Sequence, residues 1–451
     1  MKMTTREFLL RMGAGGVGAL TSAAFADSSA ESWDNGLIRD IGHTLEDVPS
    51  AYEKDGKIYQ PAREVPVFHR ADVVIVGGGP AGFAAAVAAA RSGAKTALVE
   101  RYGSLGGLFT NGMVLIVLAT SERRDGRFEF VTRGICREFV DRAVAMGPTA
   151  CRPCPSRPIN WQPTVDAEAA KVIMDRMTKE AKVDVFFHSW GVDVIQDGNA
   201  LKGVVFESKQ GRQAILAKTV IDCTGDGDVA FQAGADYRQV AHAIGFVFQL
   251  GNMDRIDGKI APTKFPRHSN EPNSSLFWVN RLGPSGNGLD VRQLSACEMA
   301  HREEAWRYVE EMRSSKGCGE VYLANTCSQL GVRASRLVKS AHDINATEAF
   351  SGMTFEDTVG YGGSDTGLNP AFAMPYRSLL PEKTENLLVA GRCMGCHPDM
   401  INLVRLIAPC MVAGQAAGTA AALAVRAGVS PRMLSPQQLR AKLKADGVFL
   451  V

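Results

Sequence analysis

The chain passes from β-branched residues into a cluster of glycines over residues 71–82, which read ADVVIVGGGPAG. An alanine-rich stretch follows as far as Ser92-Gly93, and a second apolar run, Lys95 to Val99, ends at Glu100. These patterns predict a strand, a glycine turn, a helix and a second strand within about thirty residues.

The glycines fit the pattern Gly77-x-Gly79-x-x-Gly82, which is typical of dinucleotide binding when it links a strand to a helix. We expect Gly77 to allow the tight turn, Gly79 to let backbone meet a pyrophosphate, and Gly82 to let helix and sheet pack closely. Glu100 is placed to accept hydrogen bonds from the adenosine ribose hydroxyls. The alternative is a glycine-rich turn with a purely structural role.

Two later features favour FAD over NAD as the dinucleotide. Arg101 begins a second glycine loop that includes Gly106 and Gly107, where the far phosphate and ribitol of a flavin would run. A further turn, Thr224-Gly225-Asp226, follows another short apolar run. No second GxGxxG follows a strand, although a separate NAD(P)H domain would be expected to have one.

The rest of the sequence divides into regions that differ in composition and in predicted secondary structure. We predict an extended arm over 27–70, a first FAD-binding part over 71–236, an inserted α+β substrate or cap domain over 237–383, and a second FAD-binding part over 384–451. The fold class is therefore α/β, with a Rossmann-like FAD domain interrupted by an insertion.

Composition excludes several functional classes. The 451 residues carry 50 Lys and Arg against 48 Asp and Glu, for a net charge of +2, which argues against nucleic-acid binding. No apolar run approaches the ~20 residues of a membrane helix. No spacing of ligands indicates a metal site.

The first 26 residues resemble an export signal, with basic residues near the start and a small-residue site at Ala24-Phe25-Ala26. The text around Arg6 is similar to a twin-arginine motif, but Thr5 stands where the first arginine would be. We expect a periplasmic protein, and the alternative is a cytoplasmic one that keeps this segment. With export, Cys151 and Cys154 can form a disulfide or stay as two thiols.

From about residue 71 to 451 the chain resembles the FAD-dependent oxidoreductases of the glutathione-reductase-2 structural class, alongside fumarate reductase flavoproteins. The matching segments are 74–82, 106–112, 217–228, 330–336, 374–377 and 386–418. The resemblance implies that Gly391, Arg392 and the helix containing Gln415 close over the flavin. The chain departs from the family at Ala334, where many relatives carry an acid, and at Cys396, a second cysteine after Cys393.

The candidate chemical groups come from the same segments. His397 and Arg405 are the predicted catalytic groups, because flavin oxidation of a C–H bond needs a proton acceptor and a cation for an anionic substrate. Arg333 and Arg377 are predicted to line the substrate cleft. We expect a small organic substrate and, for a periplasmic enzyme, a quinone, a cytochrome or oxygen as electron partner.

Three alternatives stay open at this point. The segment Cys393-Met394-Gly395-Cys396-His397 also fits the pattern for c-type haem attachment, which would make a flavocytochrome. Cys393 or His397 could instead hold the flavin covalently. A flavin-binding protein without turnover is the third alternative.

Overall fold

The computed structural model describes residues 50–451 apart from 125–126, 154–161, 268 and 365–368. The chain divides into one unit ending at Glu64 and a second over Val65–Val451. The described part of the first unit contains an exposed antiparallel hairpin, β1 (Tyr52–Lys54) with β2 (Lys57–Tyr59). The predicted export signal lies outside the described residues.

The helices of the described residues are α1 (Pro80–Arg91), α2 (Ile135–Ala145), α3 (Ala167–Glu180), α4 (Asp228–Gln232), α5 (Val291–Arg313), α6 (Ala346–Phe350), α7 (Ile401–Val404), α8 (Ile407–Ala427) and α9 (Pro436–Ala445). Short 3-10 turns cover Met253–Arg255, Tyr376–Leu379, Pro398–Met400 and Pro431–Met433.

The strands after the hairpin are β3 (Val67–Arg70), β4 (Val73–Val76), β5 (Thr96–Val99), β6 (Ser121–Arg124), β7 (Arg127–Phe130), β8 (Cys151–Pro153), β9 (Pro163–Val165), β10 (Asp184–Phe186), β11 (Trp190–Asp197), β12 (Ala200–Ser208), β13 (Gly211–Leu216), β14 (Thr219–Asp222), β15 (Tyr237–Gln239), β16 (His242–Gly251), β17 (Phe277–Arg281), β18 (Ser285–Gly286), β19 (Tyr322–Thr326), β20 (Gly331–Val332), β21 (Arg336–Val338), β22 (Thr358–Gly362), β23 (Phe372–Pro375) and β24 (Leu387–Val389).

A parallel five-stranded sheet forms the centre of the second unit, in the order β10-β5-β4-β14-β24. Strands β4, β5, β14 and β24 are buried along their whole length, as expected for a parallel sheet covered on both faces. Val220 of β14 pairs with Leu387 of β24, far along the chain. The Rossmann-like α/β prediction is confirmed, and this sheet is built from two distant segments.

Helices α1 and α8 pack closely because glycines of α8 face alanines of α1. A Cβ on Gly414 would lie 2.0 Å from the carbonyl oxygen of Ala81, and one on Gly418 would lie 2.0 Å from that of Ala85. Among the described residues, α8 is the only helix long and apolar enough to cross a membrane, and it is fully buried inside the protein.

An antiparallel sheet around β16 has its own apolar core. Strands β17, β18, β19 and β20 all pair with β16, and α5 packs against this sheet. Phe246, Phe248 and Leu250 of β16 meet Val309 and Met312 of α5 in that core.

The predicted inserted segment 237–383 is divided between two cores. Its residues up to Val332 supply most of the core around β16. Leu337, Ile344, Met374 and Tyr376 instead join the larger core of the parallel sheet.

The segment predicted as an arm over 27–70 contains a strand at its end. Residues Val67–Arg70 form β3, which pairs in parallel with β13. The pairing partner lies about 145 residues away, so no local pattern indicates this strand.

Candidate functional site

Each of the three glycines of the turn after β4 meets a different constraint. Gly77 has φ +96°, and a Cβ there would lie 2.5 Å from the carbonyl oxygen of Cys223. A Cβ on Gly82 would lie 1.7 Å from the carbonyl oxygen of Gly77. No protein atom lies within 4 Å of a Cβ built on Gly79, which caps α1 at the wall of a cavity. The space next to Gly79 is therefore free for a ligand.

This cavity, of about 1140 Å³ including the open space at its mouth, lies at the carboxyl ends of the parallel strands. That edge is where open α/β sheets bind ligands. Residues that directly follow three of the strands line it, namely Gly77, Glu100 and Cys223, together with Gly391, two residues after the end of β24. Other lining residues are Gly79, Arg101, Tyr102, Gly107, Trp190, Gly225, Asp228, Gln329, Arg392, Arg405 and Ile407.

Glu100 is buried, and its carboxylate holds the backbone of the glycine turn. Its Oε2 accepts a hydrogen bond from the Gly78 N–H at 2.5 Å and its Oε1 accepts one from the Tyr102 N–H at 2.8 Å. Burial raises the pKa of Glu100, and these hydrogen bonds oppose that rise. Each oxygen keeps a second lone pair, so a ribose hydroxyl remains a possible further donor.

Arg101 carries a charge that no carboxylate of the described residues neutralises within 4 Å. Its guanidinium lies over the rings of Tyr102 and Trp190, 4.9 and 5.2 Å from their centroids. Stacked arginines of this kind keep N–H groups free at the edge of the plane. The cavity thus has an available cation beside Glu100.

Two ion pairs between buried or half-buried groups lie at the cavity and fix the positions of their arginines. Arg392 donates to the Asp226 carboxylate at 2.7 Å, and Ser335 donates to the same oxygen. Arg336 donates to Asp228 at 2.9 Å. Arg392 lines the cavity, whereas Asp226 lies behind it and fixes the arginine.

The two aspartates have opposite pKa shifts. Burial disfavours the charged form of Asp226, but the charge and hydrogen bonds of Arg392 and Ser335 overcome this and lower its pKa. Burial, together with the charges of Asp226 and Asp222, raises the pKa of Asp228 to about 6, against the opposing effect of Arg336. Asp228 is therefore a cavity carboxyl that can exchange a proton near neutral pH.

Arg405 stands at another part of the cavity wall, directly before α8. Among the described residues only Asn402 accepts a hydrogen bond from its guanidinium, with Nη2 and Oδ1 3.1 Å apart, and its Nε is buried without a partner. Burial, then the charges of Arg333 and Arg392, lowers the pKa of Arg405 to about 10. The group stays protonated at neutral pH, so the cavity holds an uncompensated cation.

The family model described as FAD dependent oxidoreductase matches residues 72–269 and 251–443, which together are most of the chain. The chain belongs to the FAD dependent oxidoreductase family. It is an FAD-dependent oxidoreductase that uses FAD as its cofactor.

More distant similarities are short or structural. The chain is 56% identical over 46 residues to a dihydrolipoyl dehydrogenase of Trypanosoma brucei brucei, which is 10% of each protein. A geranylgeranyl bacteriochlorophyll reductase-like protein from Thermoplasma acidophilum has a TM-score of 0.45 at 17% identity, with 84% of each chain covered. A p-nitrophenol 4-monooxygenase from Pseudomonas putida has a TM-score of 0.43 at 11% identity, covering 84% of this chain and 89% of that one.

The cavity of this FAD-dependent oxidoreductase fits the cofactor of its family. The open side of Gly79 leaves room for a close ligand, and α1 begins there with no side-chain cap. The first helical hydrogen bond is made by the Phe83 N–H to Gly79, so the N–H groups of Ala81 and Gly82 precede it. A free helix start beside the unpaired Arg101 suits a diphosphate.

Three of the predicted site residues that lie outside the cavity lining make their contacts elsewhere. His397 is exposed and pairs with Asp399 at 3.0 Å. Arg377 is half exposed and binds Asp357 at 3.0 Å. Gln415 is buried on the side of α8 that faces α2, where its Oε1 accepts a hydrogen bond from the Ile135 N–H at 2.8 Å. The structure therefore gives His397 no contact with the cavity, neutralises Arg377, and uses Gln415 to cap a helix.

The other predicted residues hold the cavity from behind or lie beside it. Gly82 packs α1 against the turn, and Gly106 supports the second glycine loop, where a Cβ would lie 2.5 Å from Thr110. Arg333 is half buried, has no carboxylate within 4 Å among the described residues, and lies close enough to Arg405 to affect its pKa.

One wall of the cavity consists of residues that were not predicted to belong to the site. Val114, Ile116 and Leu118 line it, and all three pack against the core around β16. They belong to the run MVLIVL at 113–118, which follows the second glycine loop. This apolar run directly after a predicted ligand-binding loop is the sequence feature from which the wall could have been predicted.

The cysteines of the possible haem motif are in the core. Cys393 and Cys396 are both fully buried, and burial raises the pKa of Cys396 to about 12. Cys154 lies outside the described residues, as does any pairing with Cys151. No group of three or more His, Cys, Asp or Glu in the described part of the chain could hold a metal ion.

Proposed function

We propose that this oxidoreductase transfers a hydride or two electrons between a small organic substrate and FAD, and passes them on to a separate electron acceptor. The observation that carries this proposal is the continuity of one cavity. It runs from the open glycine turn and Glu100 to Arg405, which precedes α8 and has no carboxylate partner among the described residues. Bound FAD supplies a carrier that accepts and returns two electrons.

The residues at the β4 and β5 ends would hold the adenosine and diphosphate half. Gly79 leaves the space, the N–H groups at the start of α1 donate, and Arg101 adds a positive charge. Glu100 keeps the turn in shape through its two backbone hydrogen bonds.

Residues from later segments would hold the middle of the cofactor. Gly107, Gly225 and Gly391 bring backbone to the cavity surface, and Arg392 presents a cation there. The ion pair with Asp226 fixes that guanidinium, so its orientation costs little on binding.

The reacting end has one polar and one apolar side. Arg405 and the start of α8 provide positive potential, because the N-cap residue Leu406 has no side chain that can cap the first N–H groups. Val114, Ile116 and Leu118 form the apolar side, which excludes water from a bound substrate.

An anaerobic reduction screen tests the proposal. Purified holoprotein is mixed with hydroxy acids, amines, enoates and heterocycles, and flavin absorbance is followed before and after adding a quinone, a cytochrome or oxygen. We expect donors of one class to bleach the flavin and an acceptor to restore it, or a reduced flavin to be reoxidised by one enoate class. A flavin that no donor and no acceptor changes would contradict the proposal.

A flavocytochrome is the weaker alternative. Attachment of haem would require both Cys393 and Cys396 to leave the core, since each has no exposed surface. Covalent flavin attachment at Cys393 meets the same obstacle, and His397 lies outside the cavity lining. We therefore propose that FAD is held without a covalent bond, so that acid precipitation releases all of it.

We also propose that the enzyme is exported, from the signal-like residues 1–26. A periplasmic location would favour a quinone, a cytochrome or oxygen over a nicotinamide as electron partner. N-terminal sequencing of protein from a periplasmic extract should start at Asp27. A chain that starts at Met1 and stays in the cytoplasm would contradict this proposal.

A further inference from the structure

Five arginines lie at or near the active cavity, and they differ in whether a carboxylate neutralises them. Arg392 is paired with Asp226 and Arg336 with Asp228. Arg101 stacks on aromatic rings near Glu100. Arg333 and Arg405 remain, and neither has a carboxylate within 4 Å among the described residues.

Of the two, Arg405 has the guanidinium whose missing hydrogen bonds can be identified atom by atom. Its side chain is partly buried, its Nε is buried without a partner, and its Nη1 makes no hydrogen bond to the described residues. A buried cation without a counter-charge is costly to the folded protein. A protein keeps such a group most readily where an anion completes the site.

The surroundings of Arg405 add to the positive potential. Arg333 lies nearby, and the uncapped start of α8 follows directly at Leu406 and Ile407, both of which line the cavity. His242 lies close to both arginines, and its Nδ1 accepts a hydrogen bond from the Ala243 N–H at 2.7 Å. A neutral imidazole in this tautomer keeps its proton on Nε2, and the ring also forms a hydrogen bond with the side chain of Asn402.

Another part of the cavity wall is apolar. Val114, Ile116 and Leu118 line the same cavity as Arg405, and Gln329 adds one amide whose Oε1 is buried without a partner. A ligand that satisfies both walls needs a negatively charged head and an apolar body.

We propose that the substrate is an apolar organic acid whose carboxylate is bound by Arg405, with Arg333 and His242 around it, and whose body packs on Val114, Ile116 and Leu118. This inference rests on the proposed function, because it names the substrate class of the same cavity. The planar guanidinium suits a carboxylate, which it can bind through two parallel hydrogen bonds. Arg405 is then a specificity-determining residue.

A binding experiment tests this without turnover. Holoprotein is titrated with butanoate, hexanoate, benzoate and phenylacetate, each beside its neutral amide, and the flavin visible spectrum reports binding. We expect at least one acid to bind more than about tenfold more tightly than its amide, because a hydrogen bond to a charged group is lost in the amide. If no acid binds better than its amide, the proposal is wrong.

Substitutions of Arg405 test whether this residue binds the carboxylate. Arg405→Gln should weaken acid binding by at least about tenfold and leave amide binding unchanged. Arg405→Lys should restore part of the affinity, because it keeps the charge but not the two-pronged geometry. Arg377→Gln is the matched control: this arginine is bound to Asp357 outside the cavity lining, and a glutamine can still donate to that carboxylate. Equal losses in R405Q and R377Q would overturn the proposal.

Two further readouts separate this role from others. R405Q should unfold at the same temperature as the wild type or higher, because it removes a partly buried cation that has no counter-charge among the described residues. A lower unfolding temperature would show a structural role. If R405Q binds acids normally but has a lower flavin reduction potential, Arg405 serves the flavin and the proposal is overturned.

The outcomes also distinguish this inference from the proposed function. A wild-type protein that is flavin-loaded and reducible but indifferent to carboxylates contradicts the inference alone. A flavin that no donor or acceptor changes contradicts the proposed function as well.

Discussion

Gly82 faces the carbonyl oxygen of Gly77, and a Cβ at Gly82 would lie 1.7 Å from that oxygen. The contact joins the first turn of α1 to the end of β4, which together form the turn at the cofactor cavity. Gly79, between them in sequence, has no protein atom within 4 Å of its Cβ position. The same residue type therefore serves packing at one position and ligand approach at the other.

Alanine at these two positions should separate the two roles. Gly82→Ala places a methyl group against backbone that cannot move away, so we expect a loss of several kcal/mol in the free energy of unfolding, or insoluble protein. Gly79→Ala should leave the unfolding temperature of flavin-free protein within a few degrees of the wild type, because its backbone has φ −63° and its Cβ meets nothing.

The affinity for FAD should change in Gly79→Ala although its stability does not. In Gly79→Ala the methyl group enters the space next to the glycine turn, so FAD affinity should fall by tenfold or more. Fluorescence titration of flavin-free protein measures this. Wild-type FAD affinity in Gly79→Ala would contradict the position of the diphosphate at this turn.

The pair formed by Asp226 and Arg392 should contribute strongly to stability. Both side chains are mostly buried, and removing the carboxylate leaves a buried guanidinium without a counter-charge. We expect Asp226→Asn to lower the free energy of unfolding by about 3 kcal/mol, measured by urea denaturation. Glu320→Gln, which breaks the exposed pair with Arg255, should cost less than about 1 kcal/mol. Equal costs for the two variants would contradict the difference in burial.

Several elements of the fold can be predicted from short stretches of the sequence. Helix α5 begins directly after Asp290, a residue type that favours helix starts, and the Asp290 side chain accepts hydrogen bonds from the Arg292 and Gln293 N–H groups. The glycine turn was equally clear, because its constraints arise within a few residues.

Other features depend on distant parts of the chain. The direction of Gln415 toward α2 is set by packing, and the family pattern gave it a different role. His397 pairs with a neighbour, Asp399, and lies outside the cavity lining. Arg405 has no carboxylate within 4 Å among the described residues, and a local sequence pattern cannot show which charges lie near a residue in space.

The raised pKa of Asp228 predicts a particular dependence of stability on pH. Its folded-state pKa is about 6, above the ~3.9 of an unfolded aspartate, so the folded protein binds this proton more tightly. The contribution of the protonated group to stability is complete below about pH 4 and is lost as the pH rises to about 6.

The variant Asp228→Asn cannot lose this proton. The free energy of unfolding of D228N minus that of the wild type, measured on flavin-free protein, should therefore rise from pH 4 to about pH 6.5 and then level off. Asp197→Asn, at an exposed position, provides the background change. A difference that stays flat, or falls, over this range would show that Asp228 ionises normally in the fold.

The burial of Cys393 and Cys396 predicts their chemical behaviour. Both thiols have no exposed surface, and burial raises the pKa of Cys396 to about 12, so almost none of it is thiolate at pH 7.5. We expect iodoacetamide to leave both residues unmodified in the native protein and to label both once the chain is unfolded and reduced, as mapped by mass spectrometry. Rapid native labelling of both, or a haem absorption band in protein made with haem maturation factors, would show that this segment leaves the core and would revive the flavocytochrome alternative.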